Sequence, residues 1–390
     1  MPPRSPMEVK PDIETFAKIK VVGVGGSGGS AINRMMLHKI RGIEFVAVNT
    51  DAQALHHNSA PVKVHIGKTT TRGLGAGMDP DVGRKAAEED QDEIRELLKD
   101  SDMVFITCGL GGGTGTGAAP LIAEVAKDLG ALTVAVVTKP FSFEGVQRRT
   151  LADHGYSDLA SQVDTIISIP NDRLLQIIDK KTSLLESFQV VDDILRQGIQ
   201  GIAELITVPG LINVDFADVK AIMKDQGTAL MGIGRGTGEN RAVDAAMAAI
   251  DSPLLEVPID GAKGILFTIT GGSNMGMYEV NEAARIITSS ADQNAKIIFG
   301  AVIDESLKDE VKVTVIATGF GKGGSRPAKK VMAAGSAGFE PLQPMERPKP
   351  APQPMSPQPT FTPSPAPKPA PQASPEEDLE IPAFIRKKML

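Results

Sequence analysis

Two glycine-rich loops, each lying between a β-rich run and a helical pattern, constrain this chain more than any other feature. The first is GVGGSGG at residues 23–29, after the apolar run 19–24. The second is CGLGGGTGTGAAP at residues 108–120, after the run 102–107. Glycines at such turns permit positive φ angles and let backbone N–H groups approach an anion at a helix N-terminus. The chain is therefore expected to contain strand–turn–helix units whose loops are built around a ligand.

Short β-rich runs alternate with helical spacing from residue 19 to residue 182, which predicts a parallel sheet covered by helices on both faces. Besides the two runs named above, the predicted strands are residues 44–49, 62–66, 132–138 and 165–169. The clearest helical segments are residues 28–40, 81–99 and 117–129.

A longer helix is predicted at residues 183–206, where apolar residues recur every three or four positions and Gly198 and Gly201 allow close packing. A second α/β unit follows. Its predicted strands lie near 228–234, 264–270, 296–303 and 311–318, and its helices near 216–226, 240–250 and 279–290. We therefore expect an α/β fold in which a long central helix joins a parallel-sheet domain to a smaller α/β domain.

The C-terminal part has a composition that does not form a core. Half of the 28 prolines lie in residues 341–375, and residues 321–375 are rich in Pro, Ala, Gln and Lys, which predicts a disordered, extended tether. Apolar residues return in residues 376–390, which predicts a recognition motif that orders on binding a partner. A frayed tail with incidental apolar residues is the alternative.

Charge and cysteine content limit the classes of partner and compartment. The net charge is −7, and the negative charge lies in residues 1–320 because the proline-rich segment is basic, so nucleic acid is not expected as a partner. The single cysteine, Cys108, excludes an internal disulfide and a multi-Cys zinc site. No apolar run reaches the roughly 18 residues of a membrane-spanning helix and no signal peptide is evident, so we expect a cytoplasmic protein without direct membrane insertion.

The glycine loops favour a phosphate ligand. Residues 23–28 match G-x-G-x-x-G, which alone fits a dinucleotide-dependent oxidoreductase as well as other nucleotide-binding proteins. Two such loops at the carboxyl ends of parallel strands indicate a longer polyphosphate held from both sides. A third loop, TRGLGAG at residues 71–77, ends in Ala76 and Gly77 and either closes over a terminal phosphate or only connects two elements.

Three segments together resemble the tubulin/FtsZ family of GTPases: GGGTGTG at 111–117, the first glycine loop, and NVDFADV at 213–219. The resemblance covers residues 19–320, and the tail DLEIPAFIRKK at 378–388 is similar to the FtsZ branch. It implies a protein that binds and hydrolyses GTP and polymerises head to tail, in the FtsZ branch as the mid-cell division ring of bacteria. A filament protein without catalysis and the oxidoreductase remain as alternatives.

On this basis the chain divides into six segments. They are a flexible N-terminus at 1–18, a GTP-binding domain at 19–182, a central helix at 183–209, a C-terminal activation and polymerisation domain at 210–320, a linker at 321–375 and a partner-binding peptide at 376–390. The resemblance implies that membrane-anchoring and regulatory division proteins bind this peptide. The residues expected to contact them are Leu379, Ile381, Pro382, Phe384, Ile385 and Arg386.

The resemblance also implies which residues contact GTP or GDP. Those expected near the phosphates are Gly26, Ser27, Gly28, Gly29 and Ser30 in the first loop, Gly113, Thr114 and Gly115 in the second, and Ala76 and Gly77 in the third. Glu144 and Arg148 resemble ribose and phosphate contacts, Phe188 the side chain that stacks on guanine, and Asp193 the carboxylate that accepts from guanine N1–H and its amino group. Many relatives have Gly in place of Ser27 and Asn in place of Ser30. Mg²⁺ is expected on the phosphates and not in a protein cage.

The candidate catalytic residues lie in NVDFADV. Asp215 and Asp218 are three positions apart, so the sequence alone favours a helix N-cap. The resemblance implies instead that Asn213, Asp215 and Asp218 enter the nucleotide site of the next subunit and complete it for hydrolysis. One carboxylate can cap the helix while its neighbour faces the partner, so the two roles are compatible.

Overall fold

The computed structural model describes residues 17–40, 42–176, 178, 181–208, 210–255 and 257–320. All of them belong to the first of the chain's two units, Met1–Pro327. The predicted linker and partner-binding peptide lie outside the described residues, as does the N-terminus up to residue 16. In the part of the chain that is described, no helix is long and apolar enough to cross a membrane.

A parallel sheet forms the first half of the fold, as predicted. Its strands are β1 (Ile19–Val24), β2 (Ile43–Asn49), β3 (Val62–His65), β4 (Met103–Gly109), β5 (Leu132–Lys139) and β6 (Thr165–Pro170). They lie in the order β3-β2-β1-β4-β5-β6, and all neighbours are parallel. Successive residues of a strand are buried on opposite faces, Val21 in one apolar cluster and Val22 in another, which is why the strands are apolar throughout.

Eight α-helices and one 3₁₀ helix (Ser142–Glu144) of the described residues accompany this sheet. The α-helices are α1 (Gly25–Leu37), α2 (Ala52–His56), α3 (Lys68–Thr71), α4 (Pro80–Glu89), α5 (Gln91–Leu98), α6 (Thr114–Asp128), α7 (Val146–Gln162) and α8 (Asn171–Leu174). The single helix predicted at 81–99 is in fact two, α4 and α5. They separate at Asp90, whose carboxylate accepts a hydrogen bond from Gly67 N at 2.7 Å. Helical periodicity continues across this break, so the pattern alone does not reveal it.

The long central helix is α9 (Leu184–Thr207), one residue offset from its prediction. It begins with a capping box in which Ser183 and Glu186 bind each other's backbone N–H groups. The two predicted close contacts are present. A Cβ on Gly198 would lie 2.8 Å from Met231 Sδ, and one on Gly201 would lie 3.2 Å from Thr314 Cγ2. The helix therefore packs directly on the second half of the fold.

The second half contains α10 (Phe216–Met223), β7 (Gly227–Thr237), α11 (Arg241–Ile250), β8 (Gly264–Gly271), α12 (Met277–Ser289), β9 (Lys296–Ile303) and β10 (Glu310–Thr318). β10 lies antiparallel between β7 and β8, and β9 is parallel to β8. β7 also pairs with β6 through three residue pairs, so the sheet continues through ten strands. This mixed, continuous sheet is a feature that the strand pattern did not specify.

Candidate functional site

The first and second glycine loops meet because β1 and β4 are parallel neighbours, so their carboxyl ends lie side by side. This is the point where the strand order reverses, the usual ligand position in open α/β sheets. Gly25 has φ +73°, and a Cβ there would lie 3.1 Å from Gly115 N, so only glycine fits between the loops. Gly109 N donates to Ser27 Oγ at 2.8 Å and ties the two loops together.

A cavity of about 340 Å³ opens at this junction. Of the predicted phosphate contacts, those that line it are Gly26, Ser27, Gly113, Thr114 and Gly115. The N-termini of α1 and α6 lie at this wall, and the first N–H groups of a helix have no intrahelical partners. Their dipoles favour negative charge, so this end of the cavity is suited to phosphate groups.

The other first-loop residues lie around this wall. Gly29 and Ser30 line a smaller cavity of about 100 Å³, which shares Gly26 with the larger one. Gly28 is packed inward, since a Cβ there would lie 2.5 Å from Thr107 O. Ser27 lies within α1, so its backbone is helical and the replacement of the usual Gly causes no strain.

The third loop approaches the second one without lining the larger cavity. Ala76 is buried, and a Cβ on Gly113 would lie 2.8 Å from the Ala76 Cβ. Gly77 is exposed and has φ +58°, in the left-handed region that glycine tolerates. The loop is held by Gly75 N, which donates to Thr50 O at 3.3 Å. Its end therefore lies beside the phosphate wall.

Glu144 and Arg148 form one side of the cavity. Arg148 Nη1 lies 2.6 Å from Glu144 Oε2. The other carboxylate oxygen of Glu144 accepts from Phe141 N at 2.9 Å. The pair therefore presents a fixed carboxylate and a cation to the same space.

The part of the cavity lining that comes from α9 contains an aromatic and an acidic side chain. Phe188 lines the cavity, is 41% exposed and makes a T-shaped contact with Phe141, with ring centroids 5.8 Å apart, so part of its ring is available to a ligand. One helical turn further along α9, Asp192 lines the cavity beside Val191 and Leu195. Burial raises the pKa of Asp192 to about 6, and the positive charge of Arg34 opposes that rise.

Asp193, the predicted guanine contact, is not brought into this cavity. It lines a separate groove, where it accepts from Arg196 Nε at 2.7 Å and from Gln197 Nε2 at 2.7 Å. Burial would raise its pKa, but these bonds hold the pKa below its usual range. The physical reason is helical geometry, because adjacent residues point about 100° apart and only Asp192 lies one turn from Phe188.

Asn171 is a candidate site residue that sequence reasoning missed. It begins α8, is buried, lines the cavity, and its Oδ1 has no hydrogen-bond partner among the described residues. Buried amide oxygens are seldom left unpaired, so this atom is suited to a ligand donor. Its position two residues after the predicted strand 165–169 was the signal, since parallel strands end at the ligand edge.

Cys108 lies where β4 runs into the second glycine loop. Cys108 is fully buried near the end of β4, and a Cβ on Gly115 would lie 3.2 Å from the Cβ of Cys108. Burial raises the pKa of the Cys108 thiol to about 12, so while it is buried it is a packing residue and not a nucleophile.

The predicted catalytic loop lies outside the cavity. Asp215 caps α10 by accepting from Asp218 N at 2.7 Å, and Asn213 Oδ1 accepts from Gly210 N at 2.6 Å. Asn213, Asp215 and Asp218 are exposed, and none of them lines the nucleotide cavity. Capping, which the sequence alone favoured, is therefore confirmed for Asp215, and the structure does not join these residues to the site of their own chain.

Together, the sheet order and the paired glycine loops define a nucleotide-binding protein of the tubulin class. A model of the Tubulin/FtsZ family GTPase domain matches residues 18–179, and one of the FtsZ family C-terminal domain matches residues 227–321. An empty dimer of FtsZ from M. jannaschii is 50% identical with a TM-score of 0.76, covering 78% of this chain and 89% of that chain. The chain therefore belongs to the FtsZ family, within the tubulin/FtsZ GTPases.

More distant structures share the fold. CetZ2 from Haloferax volcanii, solved as a GTPγS-bound protofilament, is 21% identical with a TM-score of 0.66, covering 77% of this chain and 92% of that chain. CetZ1 from the same organism, a GDP-bound monomer, is 20% identical with a TM-score of 0.68, covering 78% and 95%. The family assignment confirms a GTPase and decides against the oxidoreductase that the first loop alone allowed.

Proposed function

We propose that this chain is a cytoskeletal GTPase that polymerises head to tail and hydrolyses GTP between subunits. The observation that carries the proposal is the separation of two parts. The cavity has the features of a nucleotide site, while the exposed residues Asn213, Asp215 and Asp218 lie outside it. Among relatives, FtsZ from M. jannaschii is known as a dimer and CetZ2 as a protofilament, which supports self-association.

Guanine is assigned to the end of the cavity that contains Phe188, Asp192 and Asn171. An ionised Asp192 accepts from guanine N1–H and its amino group, whereas adenine offers no such pair of adjacent donors. The Asn171 amide adds a further hydrogen-bonding group, and Phe188 offers a ring face for stacking. These side chains support selection of GTP over ATP.

The phosphates are assigned to the N-termini of α1 and α6, with Glu144 and Arg148 on the ribose and phosphate side. The carboxylates that line the cavity are Glu144, which is paired with Arg148, and Asp192, at the guanine end. His, Cys, Asp and Glu side chains of the described residues form no group of three that could hold a metal ion. Mg²⁺ usually keeps several waters and binds substrate phosphates, so in this proposal it is held mainly through the phosphates and water and offsets phosphate charge.

Hydrolysis requires a polar group that positions the attacking water. The paired Glu144 and the distant Asp192 are poor candidates at the phosphate end, so we assign this role to the exposed Asp residues of the adjoining subunit. The segment boundaries predicted from the sequence are retained in the proposal, with residues 376–390 recruiting division proteins at a mid-cell ring.

A mixing experiment tests the composite site. Asp218→Ala keeps the nucleotide cavity intact but lacks one loop carboxylate. Gly112→Asp keeps the segment that contains Asp218 intact but disables the cavity. A Cβ at Gly112 meets nothing within 4 Å, but a carboxylate there repels phosphate. Each variant alone should release little phosphate from GTP, and a mixture should recover turnover, because Gly112→Asp subunits supply Asp218 to the cavities of Asp218→Ala subunits.

Light scattering recorded with phosphate release distinguishes the outcomes. Assembly that requires GTP and declines as GTP is hydrolysed supports the proposal, with GDP and ATP as control nucleotides. A mixture no more active than the sum of its two components would show that the site is not shared. Assembly without turnover in the wild-type protein would favour a non-catalytic filament protein.

A further inference from the structure

Thr50 lies directly behind the phosphate wall of the cavity. It follows β2, is fully buried, and its Oγ1 lies 2.6 Å from Thr114 Oγ1 in the second glycine loop. Thr114 lines the cavity, whereas Thr50 is absent from its lining. The two hydroxyl groups therefore form a pair in which only one member can reach a ligand.

The direction of this hydrogen bond follows from counting protons. A hydroxyl group has one proton to donate and two lone pairs that accept. The hydrogen bonds of the described residues give Thr50 Oγ1 no acceptor other than Thr114, and Thr50 is closed to solvent. Because an unsatisfied buried donor is costly, Thr50 donates to Thr114. The proton of Thr114 is then left for an acceptor in the cavity, and phosphate oxygens are acceptors.

The position of Thr50 is fixed from the other side by the third loop. Its carbonyl oxygen accepts from Gly75 N at 3.3 Å and from Thr71 Oγ1 at 3.2 Å. Ala52 N also donates to Gly73 O at 3.1 Å, so the segment after β2 and the third loop are bound together. Thr50 therefore offers its proton from a fixed position.

We propose that Thr50 is a positioning residue that makes Thr114 a directed hydrogen-bond donor to a phosphate oxygen. The inference rests on the proposed binding of the phosphates at the second glycine loop. Thr50 contacts no nucleotide itself and acts through Thr114. Its loss would therefore weaken nucleotide binding only as long as the Thr114 hydroxyl is present.

A double-mutant cycle tests this dependence. Thr50→Val and Thr114→Val remove one hydroxyl each with little change in shape, and the dissociation constant of a fluorescent GTP analogue is measured for both, for the double variant and for the wild type. A hydrogen bond to a charged group suggests a loss of about tenfold for Thr114→Val, and about threefold for Thr50→Val because it affects only orientation. The double variant should bind as Thr114→Val does, and Thr50→Ser should restore wild-type affinity.

Three results would overturn the inference: unchanged affinity in Thr50→Val, losses that multiply in the double variant, or a Thr50→Ser variant as weak as Thr50→Val. Urea unfolding without nucleotide identifies a variant that does not fold, and Thr50→Ala then replaces Thr50→Val in the cycle. A wild-type protein that does not bind GTP would instead refute the proposed site itself, so the two failures are distinguishable.

Discussion

The nucleotide cavity and the loop before α10 differ in how their polar groups are satisfied. In the cavity, Asn171 Oδ1 lacks a partner among the described residues, and burial raises the pKa of Asp192. In the loop, Asn213 and Asp215 already accept from backbone N–H groups and lie in solvent. A polar group left unsatisfied by its own chain points to a ligand, whereas a satisfied, exposed one gains a chemical role only when another molecule reaches it. Binding and turnover should therefore be separable by mutation.

The largest expected effect is at Asp218. The cap of α10 uses the Asp215 side chain and the backbone N–H of Asp218, so Asp218→Ala removes the carboxylate without removing the cap. We expect turnover to fall by about 100-fold or more, as for loss of a group that assists proton transfer, while GTP affinity stays at the wild-type value. Phosphate release and equilibrium binding measure the two quantities.

Asp251→Ala is the matched control, because Asp251 is exposed at the end of α11. It should retain wild-type turnover. Undiminished turnover in Asp218→Ala would contradict the assignment of binding to the cavity and of turnover to the loop before α10.

The second largest effect distinguishes two neighbouring carboxylates of α9, Asp192 and Asp193, by what their loss changes. Asp192→Ala should weaken GTP binding by about 10- to 100-fold, because hydrogen bonds from guanine to a charged acceptor are lost. Asp193→Ala should leave GTP affinity near the wild-type value and lower stability instead, since Asp193 binds Arg196 and Gln197. Titration with GTP and urea unfolding separate these outcomes, and the reverse pattern would restore Asp193 as the guanine contact.

The third effect is a pH dependence of binding. Because the pKa of Asp192 is about 6, the carboxylate that accepts from guanine is lost as the pH falls through that value. GTP affinity should fall roughly tenfold from pH 7 to pH 5 through this group. Asp192→Asn serves as the control, because the phosphates still titrate while residue 192 does not. An equal pH dependence in both proteins would contradict the assignment.

The raised pKa of Asp192 gives the stability of the protein without nucleotide the opposite pH dependence. The folded-state pKa of Asp192 is raised above its ordinary value, so the folded state binds this proton more readily than the unfolded chain. The contribution of Asp192 to stability should therefore improve as the pH falls from about 6 towards 4. Urea unfolding without nucleotide, compared between wild type and Asp192→Asn, measures this contribution.

The smallest effect concerns the bond between the two glycine loops. Ser27→Ala deprives Gly109 N of its acceptor and should cost about 1 kcal/mol of unfolding free energy. Ser30→Ala is the matched control, because Ser30 lies in the same helix and is exposed. It should change stability much less. Equal effects in the two variants would show that the Ser27 bond contributes nothing measurable.

Much of the fold was predictable because each strand and helix has its own periodicity. The strand bounds at β1 and β9 match their predictions, and α9 differs by one residue. The break at Asp90 was not predictable from periodicity, and the hydrogen bond that Asp90 accepts there comes from Gly67, in another part of the chain. The continuation of the sheet from β6 to β7 depends on tertiary packing in the same way.

The part of the candidate site that consists of backbone groups was predictable from the sequence. The part that consists of side chains was less so. Glycine loops signal a phosphate wall by composition alone, and Gly113, Thr114 and Gly115 line the cavity. The choice between Asp192 and Asp193 needed the rotation of α9 about its axis. Asn171 needed knowledge of which polar atom is buried without a partner, which only the packed structure provides.

The buried thiol of Cys108 can report how often the structure around the second glycine loop opens. Cys108 is the single cysteine of the chain, stands at the start of the second glycine loop and is fully buried. A thiol reagent can modify it only during moments when the surrounding structure opens, so the modification rate reports the frequency of that opening. A nucleotide that stabilises the loop should lower the rate of Cys108 modification. The ratio of the rates with GTP and GDP would measure how much the terminal phosphate stabilises the site.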